Sequence, residues 1–208
     1  MGEVNLILCD NAKLTSRYGI TVRKGNTLNI YAQSEGSSAG TLWAGTTNGT
    51  TQFKFSTGST INAAGIGGNY DSDYAPNIDS GKCGTVNIHG GNLVIFGGGN
   101  GAGIGGHGGM SSKVNGDSTG DGGNVTIYGG TVSATGGDDG AGIGSGSAYG
   151  DSDYNDSASI TRAGKSGNVT IYGGMVNAKG GNNAAGIGGG YNGDLGSWSA
   201  SNVYNKST

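Results

Sequence analysis

Acidic residues at alternate positions give the sequence its clearest candidate chemistry. The tetrapeptide Asp-Ser-Asp-Tyr occurs at residues 71–74 and again at residues 151–154. Carboxylates on alternate loop residues can converge on a hard cation such as calcium, which binds about six to eight oxygens. Asp and Ser also satisfy backbone groups in loops without any metal, so both interpretations stay open. The candidate calcium ligands are Asp71, Asp73, Asp79, Asp151, Asp153 and Asp156.

Two established calcium motifs do not fit the sequence. The long helix-flanked calcium loop with its closing Glu is missing. The segment GGNGAGI at residues 98–104 is close to the nonapeptide of calcium-binding β-rolls, but Gly103 stands where that motif needs its Asp. The equivalent positions of the later repeats are Gly142 and Gly186. A calcium-binding β-roll is therefore disfavoured.

Aromatic side chains are the second group of candidate binding residues. Tyrosine rings can stack on the apolar faces of sugars, which is the usual aromatic contribution to a carbohydrate site. His89, Tyr128 and Tyr172 occupy one outward position of successive repeats, with Tyr31 equivalent further up. Rings at equivalent positions of successive strands also stabilise a sheet by packing on one another, so this alternative stays open. The candidate ligand-binding residues are Tyr70, Tyr74, His89, Tyr128, Tyr149, Tyr154, Tyr172 and Tyr191.

The sequence gives little support for catalysis. His89 and His107 are its two histidines, and neither has a Ser or Cys partner in a recognisable motif. Enzymes that cleave acidic polysaccharides need clustered carboxylates or a poised basic residue. Here the acidic residues are concentrated in variable segments rather than in the periodic ones. We therefore predict no catalytic residue, and keep as an alternative a polysaccharide lyase or hydrolase that uses loop carboxylates.

The elements that position these residues come from an internal repeat. Residues 84–105, 123–144 and 167–188 are near-copies, each 22 residues long. Within the second copy, Val125 and Ile127 alternate with polar residues, which is the period of a strand with one buried face. Gly-Gly pairs separate three such short runs, and glycine suits tight corners. One repeat therefore forms one coil of three strands.

A single coil cannot bury its own apolar face, so the coils must stack about 4.8 Å apart. We predict an all-β fold, a single-stranded parallel β-helix (β-solenoid) of about five to six coils, with loop excursions at one corner. Phe53, Phe55, Ile61 and Ile66 are expected to form a coil of their own. The predicted divisions are irregular amino-terminal coils or a cap at 1–68, and regular repeats with inserted loops at 69–190. Residues 191–208 are expected to be a carboxyl-terminal cap or the point where this piece ends within a longer array.

Composition and charge exclude several classes of function. The net charge is −3 and charged residues make up 12% of the chain, so nothing favours binding to nucleic acid. No apolar run approaches the ~18 residues that a membrane-spanning helix needs, so we expect no membrane insertion. Cys9 and Cys83 lie far apart in the repeat pattern and are expected to be two buried or half-buried thiols rather than a disulfide.

The repeat resembles a family of bacterial surface sequences. The unit GNVTIYGGTVSATGGDDGAGIG, with LILCDNAKLT and GITVRKGNTLNIYAQSEG upstream, is similar to the glycine-rich repeats ending in AGIGGG in large surface proteins of Gram-positive, often gut-dwelling, bacteria. The resemblance implies a secreted or wall-attached protein, part of a longer chain, with adhesive or glycan-binding duties. It supplies no catalytic motif.

These observations lead to one preferred function and two alternatives. We expect a non-catalytic extracellular surface or adhesin module that binds carbohydrate or a host surface component through aromatic and acidic loops. The loops are expected at 69–83, 107–122, 147–166 and from Tyr191 onward, since insertions at one corner of a solenoid commonly form its binding face. The alternatives are a purely structural stalk and the polysaccharide-cleaving enzyme.

Overall fold

The computed structural model describes residues 1–45, 62–69, 81–110, 120–149 and 163–191. Within these ranges the regular secondary structure is β-strand, apart from one short 3-10 turn at Gly36–Ser38, and there is no α-helix. None of the helical structure in these ranges has the length or apolarity to cross a membrane.

Three strands make up each coil, and five coils follow one another along the chain. Two further short strands lie just after the third and fourth coils. The strands are β1 (Glu3–Leu8), β2 (Lys13–Ser16), β3 (Ile20–Thr21), β4 (Thr27–Ala32), β5 (Thr41–Gly45), β6 (Ile66–Gly67), β7 (Thr85–Ile88), β8 (Asn92–Phe96), β9 (Ile104–Gly105), β10 (Gly109–Met110), β11 (Asn124–Ile127), β12 (Thr131–Thr135), β13 (Ile143–Gly144), β14 (Ala148–Tyr149), β15 (Asn168–Ile171), β16 (Met175–Lys179) and β17 (Ile187–Gly188).

Equivalent strands of successive coils pair in parallel and in register. The first sheet has the order β1-β4-β7-β11-β15, the second β2-β5-β8-β12-β16, and the third β3-β6-β9-β13-β17. Each residue of one unit therefore lies beside the same residue of the next, as in the pairs of Val125 with Val86 and with Val169. The prediction of a single-stranded parallel β-helix is confirmed.

One expected coil is wrong. Ile66 does not belong to a coil of its own, because β6 completes the second coil after β4 and β5 and pairs with β3 and β9. Residues 46–61 intervene between the second and third strands of that coil, and the apparent extra repeat arose from this long separation. Phe53, Phe55 and Ile61 lie outside the described residues. The three predicted divisions of the chain stay a prediction.

The core is a narrow column of aliphatic side chains inside the coils. Strand alternation sends every second residue inward, and the side chains stack on their equivalents above and below. In the fourth coil these residues have 1% or less of their surface exposed. They are Val125, Ile127, Val132, Ala134, Ala141 and Ile143.

Glycine occupies the second position of the third strand in coils two to five. Gly105 and Gly144 have φ of 139° and 146°, a region that residues with a Cβ rarely adopt. A Cβ on Gly105 would also overlap the carbonyl oxygen of Gly144, and one on Gly144 would overlap that of Gly188. The recurring Ile-Gly pair thus reflects how closely the coils approach one another.

Both cysteines are free thiols, as predicted, but the prediction that both are at least half-buried is wrong for one of them. Cys9 is exposed and Cys83 is buried in the core. Burial raises the pKa of the Cys83 thiol to about 12, because the thiolate would lose its hydration there.

Candidate binding surfaces

Four aromatic rings form one column on the outer side of the first sheet. Tyr31, His89, Tyr128 and Tyr172 follow or end the first strands of coils two to five, and register brings them together. Successive ring centroids are 4.4, 4.6 and 5.3 Å apart, with interplanar angles of 10°, 8° and 12°. We call these four residues the ring column.

The ring column directs its ring faces at one another rather than at solvent. Nearly parallel rings at these distances leave the ring edges as the accessible part. Tyr128 is 48% exposed with rings on both sides, whereas Tyr172 is 72% exposed with one ring neighbour among the described residues. The observed contacts are those of cross-strand stacking, and Tyr172 has the most accessible ring face.

Amide side chains form hydrogen-bonded ladders beside the ring column. The Asn29 side-chain amide donates to the side-chain oxygen Oδ1 of Asn5 at 2.8 Å and to a Glu3 carboxylate oxygen at 2.7 Å. The Asn87 side-chain amide donates to the side-chain oxygen Oδ1 of Asn29 at 2.8 Å, which continues the ladder by one coil. The outer face of the first sheet is therefore a mostly uncharged surface of rings, amides and hydroxyls.

A second aromatic group, not foreseen from the sequence, lies on the outer side of the second sheet. The Lys13 ammonium nitrogen lies 4.7 Å from the centroid of the Trp43 ring, a cation–π contact. Phe96 is the other neighbour of Trp43, with centroids 6.4 Å apart and rings tilted by 57°. Alternation with the buried Leu42 and Ala44 was the available signal that Trp43 faces outward.

The long connections leave the coils at equivalent points, just after the third strands. The backbone N–H of Gly108 donates to the Asn62 carbonyl at 2.7 Å, and that of Ser147 donates to the Asn100 carbonyl at 2.9 Å. One coil further, Tyr191 donates in the same way to Asp139 at 2.9 Å. β10 and β14, at the start of two of these connections, also pair in parallel. We call this row the exit row.

The same connections return to the coils along a second fixed row. Backbone hydrogen bonds run from Cys83 N–H to the Asp121 carbonyl at 2.9 Å and from Gly122 N–H to the Lys165 carbonyl at 2.8 Å. The Asp121 carboxylate accepts from the Lys165 N–H at 2.9 Å and lies 3.8 Å from the Lys82 ammonium. This return row ties three successive coils together where the connections rejoin them.

His107 joins both ends of one connection. Its ring is buried, and Nδ1 accepts a hydrogen bond from the Gly120 N–H at 3.0 Å. Its backbone carbonyl also accepts from Gly120, and its N–H donates to the Gly81 carbonyl at 3.1 Å. These contacts give His107 a structural role at the base of residues 111–119, which the sequence alone did not reveal.

Most of the predicted binding residues fall beyond the described ranges. Tyr191 is described and is half-buried at the exit row. Tyr149 belongs to β14, but its side chain is outside what the structure describes. Within the described ranges no three acidic, His or Cys side chains are placed to hold a metal ion, so calcium stays a prediction. The predicted residues outside these ranges are Tyr70, Tyr74, Tyr154, Asp71, Asp73, Asp79, Asp151, Asp153 and Asp156.

Comparison with known families agrees with this geometry. Residues 125–147 and 169–191 match the family model of a beta helix repeat. Both segments start at the inward Val of a first strand and end at the exit row. They are repeats of a structural or surface-type module. No curated protein and no solved structure matches the chain. The more specific resemblance to AGIGGG repeats of Gram-positive bacteria stays a prediction.

Proposed function

We propose that the protein is a non-catalytic surface module whose coils hold variable loops along one edge, and that these loops bind carbohydrate. The observation that carries this proposal is that connections leave the coils along the exit row and rejoin them along the return row. Both rows repeat in register from coil to coil, while the segments between them, 70–80, 111–119 and 150–162, differ in length and sequence. A constant support with variable insertions at one edge is the usual arrangement of a solenoid binding face.

Carbohydrate is the ligand class that the residue types favour. Segments 70–80 and 150–162 both carry Asp-Ser-Asp-Tyr. Rings pack on the apolar faces of sugars, and carboxylates, hydroxyls and amides hydrogen-bond to sugar hydroxyls. The low content of basic residues disfavours a polyanionic ligand. A glycan or glycosylated component of a cell surface, outside the producing cell, is the proposed partner.

A glycan array with loop-replacement variants tests the proposal. Replacing residues 150–162 by a Gly-Ser segment of equal length should weaken glycan binding at least tenfold. The matched control replaces residues 111–119, which leave from the exit row but contain no tyrosine and no Asp-Ser-Asp-Tyr, and should bind nearly as wild type does. If folded wild-type protein bound no neutral or acidic glycan, only the structural stalk would remain.

The ring column offers a second carbohydrate surface, favoured by the exposure of Tyr172. A sugar on the outer face of the first sheet would contact that ring together with Asn168 and Thr170 of β15. In that case Tyr172→Ala would weaken binding, whereas replacement of residues 150–162 would not. The two variants therefore distinguish the loop site from the sheet site.

Two alternatives are checked in the same assay. If calcium organises the acidic loops, a chelator would lower binding by wild type and have no effect after Asp151→Asn with Asp153→Asn. If the protein is an enzyme, polysaccharides would release reducing ends or unsaturated products, and Asp151→Ala or Asp153→Ala would abolish the release. Binding without product formation would support the non-catalytic proposal.

A further inference from the structure

The ring column contains one pair of neighbouring phenols. Tyr128 and Tyr172 lie on adjacent coils, with ring centroids 5.3 Å apart and planes 12° from parallel. The other two contacts of the column each join a tyrosine to His89. Among the residues that the structure describes, Tyr128 and Tyr172 are therefore the stacked rings that share the chemistry of a phenol.

The backbone fixes the position of this pair. β11 and β15 pair in parallel and in register through Ile127 and Ile171, which directly precede the two tyrosines. The Tyr172 N–H donates to the Ile127 carbonyl at 2.8 Å, so the backbone ladder continues to the tyrosines themselves. The side chains of Tyr128 and Tyr172 are 48% and 72% exposed. The two rings are thus close together and accessible to a reagent in solution.

We propose that Tyr128 and Tyr172 are a site of oxidative cross-linking, at which a carbon–carbon bond joins the two phenol rings. The oxidant is hydrogen peroxide acting through a peroxidase. Each phenol gives up one electron and its hydroxyl proton, and the peroxide takes up both electrons and both protons to become water. The two tyrosyl radicals combine between ring carbons next to the hydroxyl-bearing carbons. The hydrogen on each of these carbons then moves to the oxygen, which restores two aromatic phenols.

Proximity favours this product over its competitors. A tyrosyl radical must meet a second molecule by diffusion, whereas the partner ring here is held on the adjacent strand. Because both rings are exposed, rotation about their side-chain bonds can bring their edges together. Tyr31 lacks such a partner in the column, since the imidazole of His89 lies between it and Tyr128 at centroid distances of 4.4 and 4.6 Å. The bond between two phenols is therefore expected at Tyr128 and Tyr172 and not at Tyr31.

The new bond would act as a covalent staple between the fourth and fifth coils. The two cysteines do not supply one, since both are free thiols. A link between Tyr128 and Tyr172 closes a loop that includes the whole connection at 150–162. Such closure lowers the entropy of the unfolded chain, so the linked protein should unfold at a higher urea concentration than the unlinked protein. This role is independent of the ligand that the loops bind.

Oxidation of the full chain with a peroxidase and hydrogen peroxide tests the proposal. The reference protein carries Cys9→Ser, which removes the exposed thiol as a competing site of oxidation. Mass spectrometry of the digested monomer should identify a linked peptide pair that contains Tyr128 and Tyr172 and has lost two hydrogen atoms. Because the link forms within one molecule, its yield should not change with protein concentration.

Tyr172→Phe is the matched variant, because it keeps a ring of the same size in the column and removes only the hydroxyl group. It should abolish the link. Tyr31→Phe removes a hydroxyl group from the same column and should leave the yield of the link unchanged. His89→Tyr puts a phenol between Tyr31 and Tyr128 and should add a second link. Circular dichroism checks that each variant keeps its sheet content.

Tyr18 reports whether the oxidant has acted, since it is 66% exposed. Oxidation of Tyr18 without a link between Tyr128 and Tyr172 would overturn the proposal. A link that persists in Tyr172→Phe, or one that forms only between molecules, would overturn it as well. Urea titration of the purified linked monomer checks the staple, and a midpoint equal to that of the unlinked protein would contradict this role.

Discussion

The third sheet and the outer face of the first sheet come from the same repeats, but residue types at equivalent positions vary more on the outer face of the first sheet. In the third sheet the second strand position is Gly67, Gly105, Gly144 or Gly188 in coils two to five. On the first sheet the ring column contains tyrosine in three coils and histidine in one, and the neighbouring column changes from Asn to Thr. The position that stays constant in coils two to five is therefore one whose residue has no side chain to bind a ligand.

Sterics explain this difference. In coils two to four a Cβ at this position, the glycine column, would overlap the backbone carbonyl of the next coil, so an added side chain would force the two coils apart. On the outer face of the first sheet a side chain points away from the coil and meets only its equivalents above and below. Its contribution is a pair energy of about 0.2–1 kcal/mol rather than a requirement for folding. The most regular motif of this sequence marks backbone packing, and variation marks the surface available for binding.

Gly144→Ala should be the most damaging single change to the third sheet. The new Cβ would require both a disfavoured positive φ and displacement of the Gly188 carbonyl. Each of these two effects costs about 1–3 kcal/mol. We expect the free energy of unfolding to fall by about 2–6 kcal/mol in urea titration.

Gly189→Ala is the matched control for this change. Gly189 follows the same third strand in the next coil, but a Cβ there meets no atom within 4 Å and its φ is not positive. Its effect should be below about 0.5 kcal/mol. Equal destabilisation by the two substitutions would mean that the glycine column is not set by the approach of the coils.

Cys83 lies beside the glycine column, and its burial predicts how the free energy of unfolding changes with pH. Its pKa is raised by burial to about 12 in the folded protein, against 9.0 for the unperturbed thiol. The stability due to the buried neutral thiol is complete below pH 9 and is lost as the pH rises from 9 towards 12. Between pH 8 and pH 10 wild type should lose about 1.4 kcal/mol more than Cys83→Ala does.

The difference between the two proteins is the measured quantity, because ionisation of tyrosines and lysines is common to both. Urea titrations at the two pH values give it directly. A thiol reagent provides an independent check, since it should modify Cys9 in the native protein and Cys83 only after unfolding. Parallel pH profiles for wild type and Cys83→Ala would show that the thiol is not held neutral by the core.

The fold was predictable because the repeat encodes it twice, in strand alternation and in the recurrence of whole units. Val125 and Ile127 specify an inward face, and their equivalents in other units specify parallel stacking. Ile66 was assigned wrongly because residues 46–61 separate it from the strands of its own coil, and periodicity does not measure such separations. The place of Ile66 in the fold depends on the pairing of β6 with β3 and β9, which are distant in sequence, and not on local pattern.

The candidate surfaces were predictable only in part. Equivalent positions in the repeat placed His89, Tyr128 and Tyr172 in one column, but spacing does not encode side-chain rotation, so it left open whether the rings face solvent or one another. The contacts of His107 with Gly120 and of Asp121 with Lys165 join segments that are neighbours only after the coils have stacked. Such contacts have no local sequence signal.

Tyr128→Ala should cost less than Gly144→Ala and tests the outer face of the first sheet, where residue types vary. Tyr128 stacks on His89 and on Tyr172, and aromatic pairs contribute about 0.5–1.5 kcal/mol each beyond the area they bury, less where they are half exposed. We expect a loss of about 1 kcal/mol in urea titration. Tyr172→Ala, with one ring neighbour, should cost about half as much.

A double-mutant cycle between the two positions isolates their coupling. A coupling of zero would mean that the ring column does not stabilise the sheet and that its regular spacing serves a ligand instead.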